Sequence, residues 1–392
     1  MILTRTSEVS SAASILLAEQ KDKDAKKSFI NYQPTISYTK KHMSKKGTLI
    51  QDIGEFGLID RLTKGLTLQS ARTLRGVGDD AAVIRVKDNT CMLVTTDMLL
   101  EGVHFDLMYA PLKHLGYKSV VASLSDVCAM NALPEHITAS IAISSKFYAE
   151  AIDELYDGIK QACSYYHVDL VGGDTTSSTK GLVISISAMG VEQKNHIVYR
   201  NSAKPGDLIC VTGDLGAAYL GLLLLEREKA IFLENPAIQP DLKSHQYLVQ
   251  RQLKPEARTD MIKLWRQEGF KPTSMIDVSD GLASDLLHIC TQSQVGAVIE
   301  EDLVPIKEET KLLALDFKIA PITCALSGGE DYELLFTADP KDLEKIKYLP
   351  DISIIGEVLP EEKGVHLQTS GKKQVPIIAQ GWNHFNRDKT EQ

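Results

Sequence analysis

Six short stretches of the chain set acidic residues beside glycines or hydroxyl residues. They are Gly76-Val77-Gly78-Asp79-Asp80, Thr95-Thr96-Asp97, Ser125-Asp126, Gly172-Gly173-Asp174-Thr175-Thr176, Asp277-Val278-Ser279-Asp280-Gly281 and Ser327-Gly328-Gly329-Glu330-Asp331. A single stretch of this kind reads as a turn or a helix cap. Six together ask for a shared purpose, because gathered carboxylates repel one another unless a cation neutralises them. With oxygen ligands and no His or Cys cluster, Mg²⁺ is favoured over Zn²⁺. Mg²⁺ in turn commonly bridges carboxylates to substrate phosphates. The glycines supply the other half of that chemistry. Gly172-Gly173 would let a phosphate approach backbone N–H groups, and Asp277 to Gly281 opens into a helix whose N-terminus favours anions.

Motifs of other phosphate and acyl chemistries are missing. There is no G-x-x-x-x-G-K-[ST] loop, and Gly76-Val77-Gly78 does not extend to G-x-G-x-x-G because position 81 is Ala. No H-R-D or D-F-G kinase set and no G-x-S-x-G elbow occurs. The six cysteines, Cys91, Cys128, Cys163, Cys210, Cys290 and Cys324, form no C-x-x-C pattern and read as reduced core thiols of a cytoplasmic protein.

The elements that must position the acidic stretches alternate between helix and strand. The spacing predicts a short helix over 52–64, strands over 81–86 and 92–96, a long helix over 111–130 carrying Asp126, and a strand over 137–143. A second long helix follows at 149–167, then strands at 169–172 and 182–191. After the turn Lys204-Pro205-Gly206-Asp207 come a strand at 208–212, helices at 217–227, 245–268 and 281–293, and strands at 275–278, 297–300, 332–338 and 352–358. Asp97, Asp174 and Asp277 thus fall at or beside strand ends, where loops present functional groups.

The chain has 392 residues, enough for two domains of ordinary size. We expect a leader over 1–47, an N-terminal domain over 48–200, a C-terminal domain over 201–386 and a tail over 387–392. The leader is Ser/Thr/Lys-rich and reads as disordered, or else Met43 is the natural start. Net charge is −9, but the first 47 residues carry +5, so the rest carries −14. That balance argues against tight nucleic-acid binding, and no apolar run is long enough for a membrane span.

In this order the motifs resemble the thiamine-monophosphate kinase family, part of the superfamily that includes aminoimidazole ribonucleotide synthetase. The resemblance runs over roughly residues 52–386. It is carried most specifically by Gly54-Glu55-Phe56, by Thr96-Asp97-x-Leu-x-x-Gly-x-His104-Phe105, by Ser327 to Leu334, and by the terminal Gly381-Trp382-Asn383-His384-Phe385. It implies an α/β (α+β) two-domain fold, with an N-terminal sheet domain meeting its partner's across a two-fold homodimer interface and a C-terminal α/β domain. It implies ATP-dependent phosphorylation of thiamine monophosphate to thiamine diphosphate with several Mg²⁺ ions. Asp80, Thr95, Thr96, Asp97, Asp126, Asp174, Asp277 and Asp280 would hold the metals, with Asp79 adjacent. Gly173, Asp174, Arg200 and Ser279 would contact ATP, and His104, Glu330 and Trp382 the thiamine phosphate.

Those roles fit the residue types. Arg200 can grip phosphate oxygens with a planar fork, and Trp382 offers a face to a cationic ring. The expected reaction is direct in-line transfer without a covalent phospho-enzyme, since the attacking phosphate is already largely ionised near neutral pH and the barrier is chiefly electrostatic. Three alternatives stand beside it: a sister ATP-dependent synthetase or ligase, a metal-dependent phosphatase, and a non-catalytic nucleotide binder.

Overall fold

The structure, a computed structural model, describes residues 48–378. The expected leader and tail and Trp382 lie outside the described residues. The chain divides after Ile53, and the elements discussed below belong to the unit beginning at Gly54, apart from the first turn of α1 (Ile50–Thr63).

The first sheet is built from β1 (Thr73–Arg75), β2 (Ala82–Lys87), β3 (Thr90–Leu100), β4 (Pro134–Ile143), β5 (Asp169–Ser177) and β6 (Val183–Gln193). Its order is β1-β2-β3-β6-β4-β5, antiparallel except for the β4–β5 pair. Alternation sends Leu93, Ile184, Ile186, Ala188, Ile137 and Ala139 to one face, where they are fully buried. That face carries α2 (Leu112–Ala129), with α3 (Ala149–Tyr166) packed alongside it. The two helices touch backbone to backbone. A Cβ on Gly116 would lie 2.0 Å from the Leu155 carbonyl oxygen, and one on Gly158 would lie 1.9 Å from that of Lys113. Only glycine fits either position, and this close approach buries α2 on nearly every side.

The second sheet has seven strands, in the order β13-β12-β9-β11-β7-β10-β8. They are β7 (Leu208–Thr212), β8 (Ser274–Asp277), β9 (Val295–Glu300), β10 (Leu334–Ala338), β11 (Ile352–Pro360), β12 (Val365–Gln368) and β13 (Gln374–Pro376). The helices of this half are α4 (Ala217–Glu234), α5 (Gln246–Leu253), α6 (Thr259–Gln267), α7 (Leu282–Ser293), α8 (Glu308–Asp316), α9 (Pro321–Ser327) and α10 (Leu343–Tyr348). One sequence expectation is corrected here: the single helix over 245–268 is two. Pro255 cannot continue a helix, the preceding Lys254 is held in non-helical backbone (φ −141°, ψ 65°), and beyond the break Arg258 pairs with Glu333. A second correction concerns residues 173–177, expected as a loop; they continue β5.

Candidate active site

Asp80, Asp126 and Asp277 come from three distant parts of the chain, yet carboxylate oxygens of all three lie within 4.8 Å of one another. Asp80 follows the glycine-rich turn before β2, Asp126 sits in α2, and Asp277 ends β8 of the second sheet. The site is therefore assembled from both halves of the molecule.

The buried helix α2 organises it. Ser125 Oγ donates to Asp277 Oδ2 at 2.6 Å, and Ser123 Oγ donates to Asp97 Oδ2 at 2.8 Å. Asp126 Oδ2 accepts from Thr95 Oγ1 at 2.5 Å. Two serines of one helix thus hold one acid each, and the same helix carries the third acid, which Thr95 of β3 holds. Thr95 and Asp97 point toward α2 because strand residues two apart share a face. Thr96, between them, points the other way and donates to the Ile186 carbonyl at 3.2 Å. The structure does not bring the Thr96 side chain to the three acids.

The electrostatics are those of a cluster whose negative charge is only partly compensated. Burial and the neighbouring charge of Asp80 push Asp277 up to about 7. Burial and the charges of Asp97, Asp277 and Asp80 raise Asp126 well above the carboxylate range, and burial raises Asp97. Asp79 is pushed up to about 6 by burial and by Asp80, against the pull of Arg75 and Arg200. Crowded carboxylates with hydroxyl neighbours fit a hard divalent cation, and the donor set, all oxygen, fits Mg²⁺. One counter-charge is present. Arg200 places Nε 3.0 Å from Asp80 Oδ2 and its terminal nitrogen on Oδ1, a two-point pair. Its carbonyl oxygen accepts from Ser274 and Ser293, and its N–H donates to Asp79.

Ser279 and Asp280 lie in the loop between β8 and α7. Gly281 closes that loop with φ 104°, and a Cβ there would meet the Leu326 and Gly328 carbonyl oxygens at 2.8 and 2.9 Å. Helix α7 then begins, as expected, with the Asp280 N–H donating to Asp285. Backbone bonds lock this loop to the segment that carries Glu330. Glu330 N donates to Ser279 O at 2.8 Å, Tyr332 N to Val278 O at 2.9 Å, and Val278 N to Glu333 O at 2.7 Å. His104 Nδ1 accepts from Leu100 N at 3.0 Å, so the proton of the neutral ring sits on Nε2.

Other expectations fare differently. Gly173 lies inside the edge strand β5, where a Cβ would fall 1.9 Å from the Ala139 carbonyl oxygen. Its glycine is demanded by strand packing, and the residue stands in a strand and not in a loop. Asp174 is exposed on the same strand. Asp331 is buried and caps α4, accepting from Gly216 N at 2.6 Å and Ala218 N at 3.1 Å, so its charge serves a helix end. A cleft of about 300 Å³ lies against Arg251, Arg258 and Glu333; these charges pair with one another, and it contains none of the three clustered acids.

Sequence reasoning missed Ser123, Lys118 and Asp285. Ser123 stands three residues before Asp126, a spacing that shares a helix face. Lys118 is the one charged residue among the buried positions 115–125 of α2. Asp285 is wholly buried in the first turn of α7, where burial and the charges of Asp280 and Asp277 raise it well above the carboxylate range.

Residues 78–191 match the family model of the AIR synthase related protein N-terminal domain, and residues 204–367 that of the C-terminal domain. The chain is 34% identical over 337 residues to thiamine-monophosphate kinase of Bacillus subtilis (strain 168), covering 84% of this chain and 99% of the relative. It is 36% identical over 336 residues to thiamine-monophosphate kinase of Aquifex aeolicus (strain VF5), covering 86% and 99%. Among solved structures, AaThiL complexed with AMPPCP and TMP superposes with a TM-score of 0.72 at 32% identity, covering 87% of this chain and all of that one. With both domain models matched in order and identity at this level across nearly the whole of its relatives, the chain belongs to the thiamine-monophosphate kinase family of AIR synthase related proteins.

Proposed function

We propose that this chain transfers the γ-phosphoryl group of ATP to thiamine monophosphate, giving thiamine diphosphate and ADP. Family membership gives the reaction, and one observation ties it to this molecule: the convergence of Asp80, Asp126 and Asp277 from both halves of the molecule into a single, largely buried anionic cluster. Both substrates are anions, so a bare acidic pocket would repel them. Mg²⁺ bound there would neutralise the phosphates and stabilise charge on the transferred group. Asp80, Asp97, Asp126 and Asp277 with Thr95 would hold it, and by resemblance Asp174 and Asp280 would join them.

The chain's own residues do the rest. Arg200, anchored through its backbone to both halves, would trade Asp80 for phosphate oxygens of ATP. Gly173, Asp174 and Ser279 would line the nucleotide, and His104, Glu330 and Trp382 the acceptor. The acceptor phosphate needs no strong base, so transfer is direct and in line. Incubation of purified protein with ATP, Mg²⁺ and thiamine monophosphate tests this. Thiamine diphosphate must form only with all three present; release of free phosphate without diphosphate would instead mark a hydrolase.

We further propose a homodimer, with domain limits of 48–200 and 201–386. The face of the first sheet away from α2 exposes Met98 and Val191, and β5 exposes Leu170 and Val171. Unpaired apolar sheet faces of this kind are covered by partners. Light scattering on the purified chain should give twice the chain mass. No helix of the described residues is long and apolar enough to cross a membrane, and we place the protein in the cytoplasm.

A further inference from the structure

Lys118 is 4% exposed, in the middle of α2. A buried cation costs several kcal/mol unless paired, and an apolar residue would fill the same space at less cost. Its Nζ lies 2.9 Å from Glu330 Oε1. The other oxygen, Glu330 Oε2, accepts from Gln252 Nε2 of α5 at 2.8 Å. Glu330 is thus held from two sides, by one helix of each half. Its backbone is fixed as well, at φ 67° and bonded to Ser279 O. A non-glycine residue persists in that conformation only where its surroundings enforce it.

The clamp leaves the carboxylate usable. Each oxygen has a second lone pair, and 27% of the side chain remains exposed. The carboxylate can therefore accept one further hydrogen bond along a direction that Lys118 and Gln252 set. Burial first, and then the charges of Glu330, Asp97, Asp277 and Asp126, raise the hydroxyl of Tyr332, two residues on.

We propose that Lys118 is a positioning residue that sets acceptor specificity, aiming Glu330 at a ring amino group of the acceptor. The inference rests on the reading that Glu330 contacts thiamine monophosphate. A carboxylate so fixed accepts from the 4-amino group of an aminopyrimidine. It meets the oxygen of a 4-oxo analogue with repulsion, because the exocyclic donor is gone and the analogue's N–H lies on the ring. A site built around such a bond rejects an analogue that lacks the donor far more strongly than an apolar pocket can.

The test is steady-state kinetics of the purified full chain with thiamine monophosphate and with its 4-oxo counterpart, oxythiamine monophosphate. The wild type should prefer the amino substrate by about 100-fold or more in kcat/KM. Lys118→Met should raise KM for thiamine monophosphate about 10-fold and shrink the preference about as much, with KM for ATP unchanged. Lys118→Arg, which keeps the charge, should retain most of the preference. Should Lys118→Met not fold, Lys118→Gln is read in its place with the same expectation. The Glu330→Gln variant separates the two layers of the argument. If it leaves KM and preference unchanged, the reading of Glu330 fails. If it alters both while the Lys118 variants keep the wild-type preference, or lose activity with that preference intact, the Lys118 proposal is overturned.

Discussion

Ser125 of α2 reaches across from the first half of the molecule to donate a 2.6 Å hydrogen bond to Asp277, the last residue of β8 in the second. Both groups are buried, and the bond offsets part of the cost of keeping Asp277 charged. Ser125→Ala should therefore leave the fold intact and weaken the site. A hydrogen bond to a charged group is worth about 1.5–3 kcal/mol. The Mg²⁺ concentration for half-maximal activity should rise about 10-fold or more, measured by titrating Mg²⁺ at saturating ATP. An unchanged Mg²⁺ dependence would remove Ser125 from this role.

Asp126→Asn removes one negative charge from the cluster. Turnover should drop at least about 100-fold, as charge neutralisation at the transferred group is lost. The same change relieves repulsion among Asp97, Asp126 and Asp277. In EDTA the variant should then melt higher than wild type, by about 1 kcal/mol or more in stability. Calorimetry and an activity assay on one preparation check both signs; a variant both inactive and less stable would contradict the account.

The pH dependence follows from Asp277. Its value in the folded chain, about 7, is above its ordinary 3.8. The metal-free folded state therefore binds more protons than the unfolded chain between those values, and its stability falls as pH rises from about 4 through about 7. A bound cation must displace that proton, so Mg²⁺ binds more tightly as pH rises through the same window. Melting temperatures in EDTA should decline from about pH 5.5 to about pH 8, while the increment given by Mg²⁺ grows. An increment that is constant over that range would sink this prediction.

Gly158→Ala tests the framework behind the site. The added methyl would fall 1.9 Å from the Lys113 carbonyl oxygen, so α2 and α3 must separate. The loss should be about 1–3 kcal/mol by analogy with overpacking. Because α2 carries Ser123, Ser125 and Asp126, Mg²⁺ affinity should fall with stability. Chemical denaturation and Mg²⁺ titration of the same variant check the pair of effects.

The alternating pattern of apolar residues marked most of the strands and long helices, because a half-buried sheet and an amphipathic helix impose periods on composition. The acidic stretches marked the site for a similar reason: isolated buried carboxylates are too costly to keep without use. What escaped the sequence was geometry set by tertiary packing. Nothing local distinguishes Asp331, which caps a helix, from Glu330 beside it, which is held by Lys118 and Gln252. Gly173 looked like a loop glycine because the backbone of β4 that excludes its side chain is 34 residues away in sequence, at Ala139. Thr95 and Thr96 are equivalent on paper, and only the pleat of β3 sends one to Asp126 and the other to Ile186.

The backbone bonds joining Ser279 to Glu330 and Val278 to both Tyr332 and Glu333 have a consequence for how this enzyme can change. The loop proposed to line the nucleotide and the segment proposed to line the acceptor share one hydrogen-bonded ladder. Neither can be exchanged as a module. A lineage drifting toward a new acceptor would have to remodel the segment around Glu330 while keeping its main chain in register with Asp277 to Gly281. Innovation is thereby channelled into side chains at the pocket wall and away from insertions or deletions in either loop.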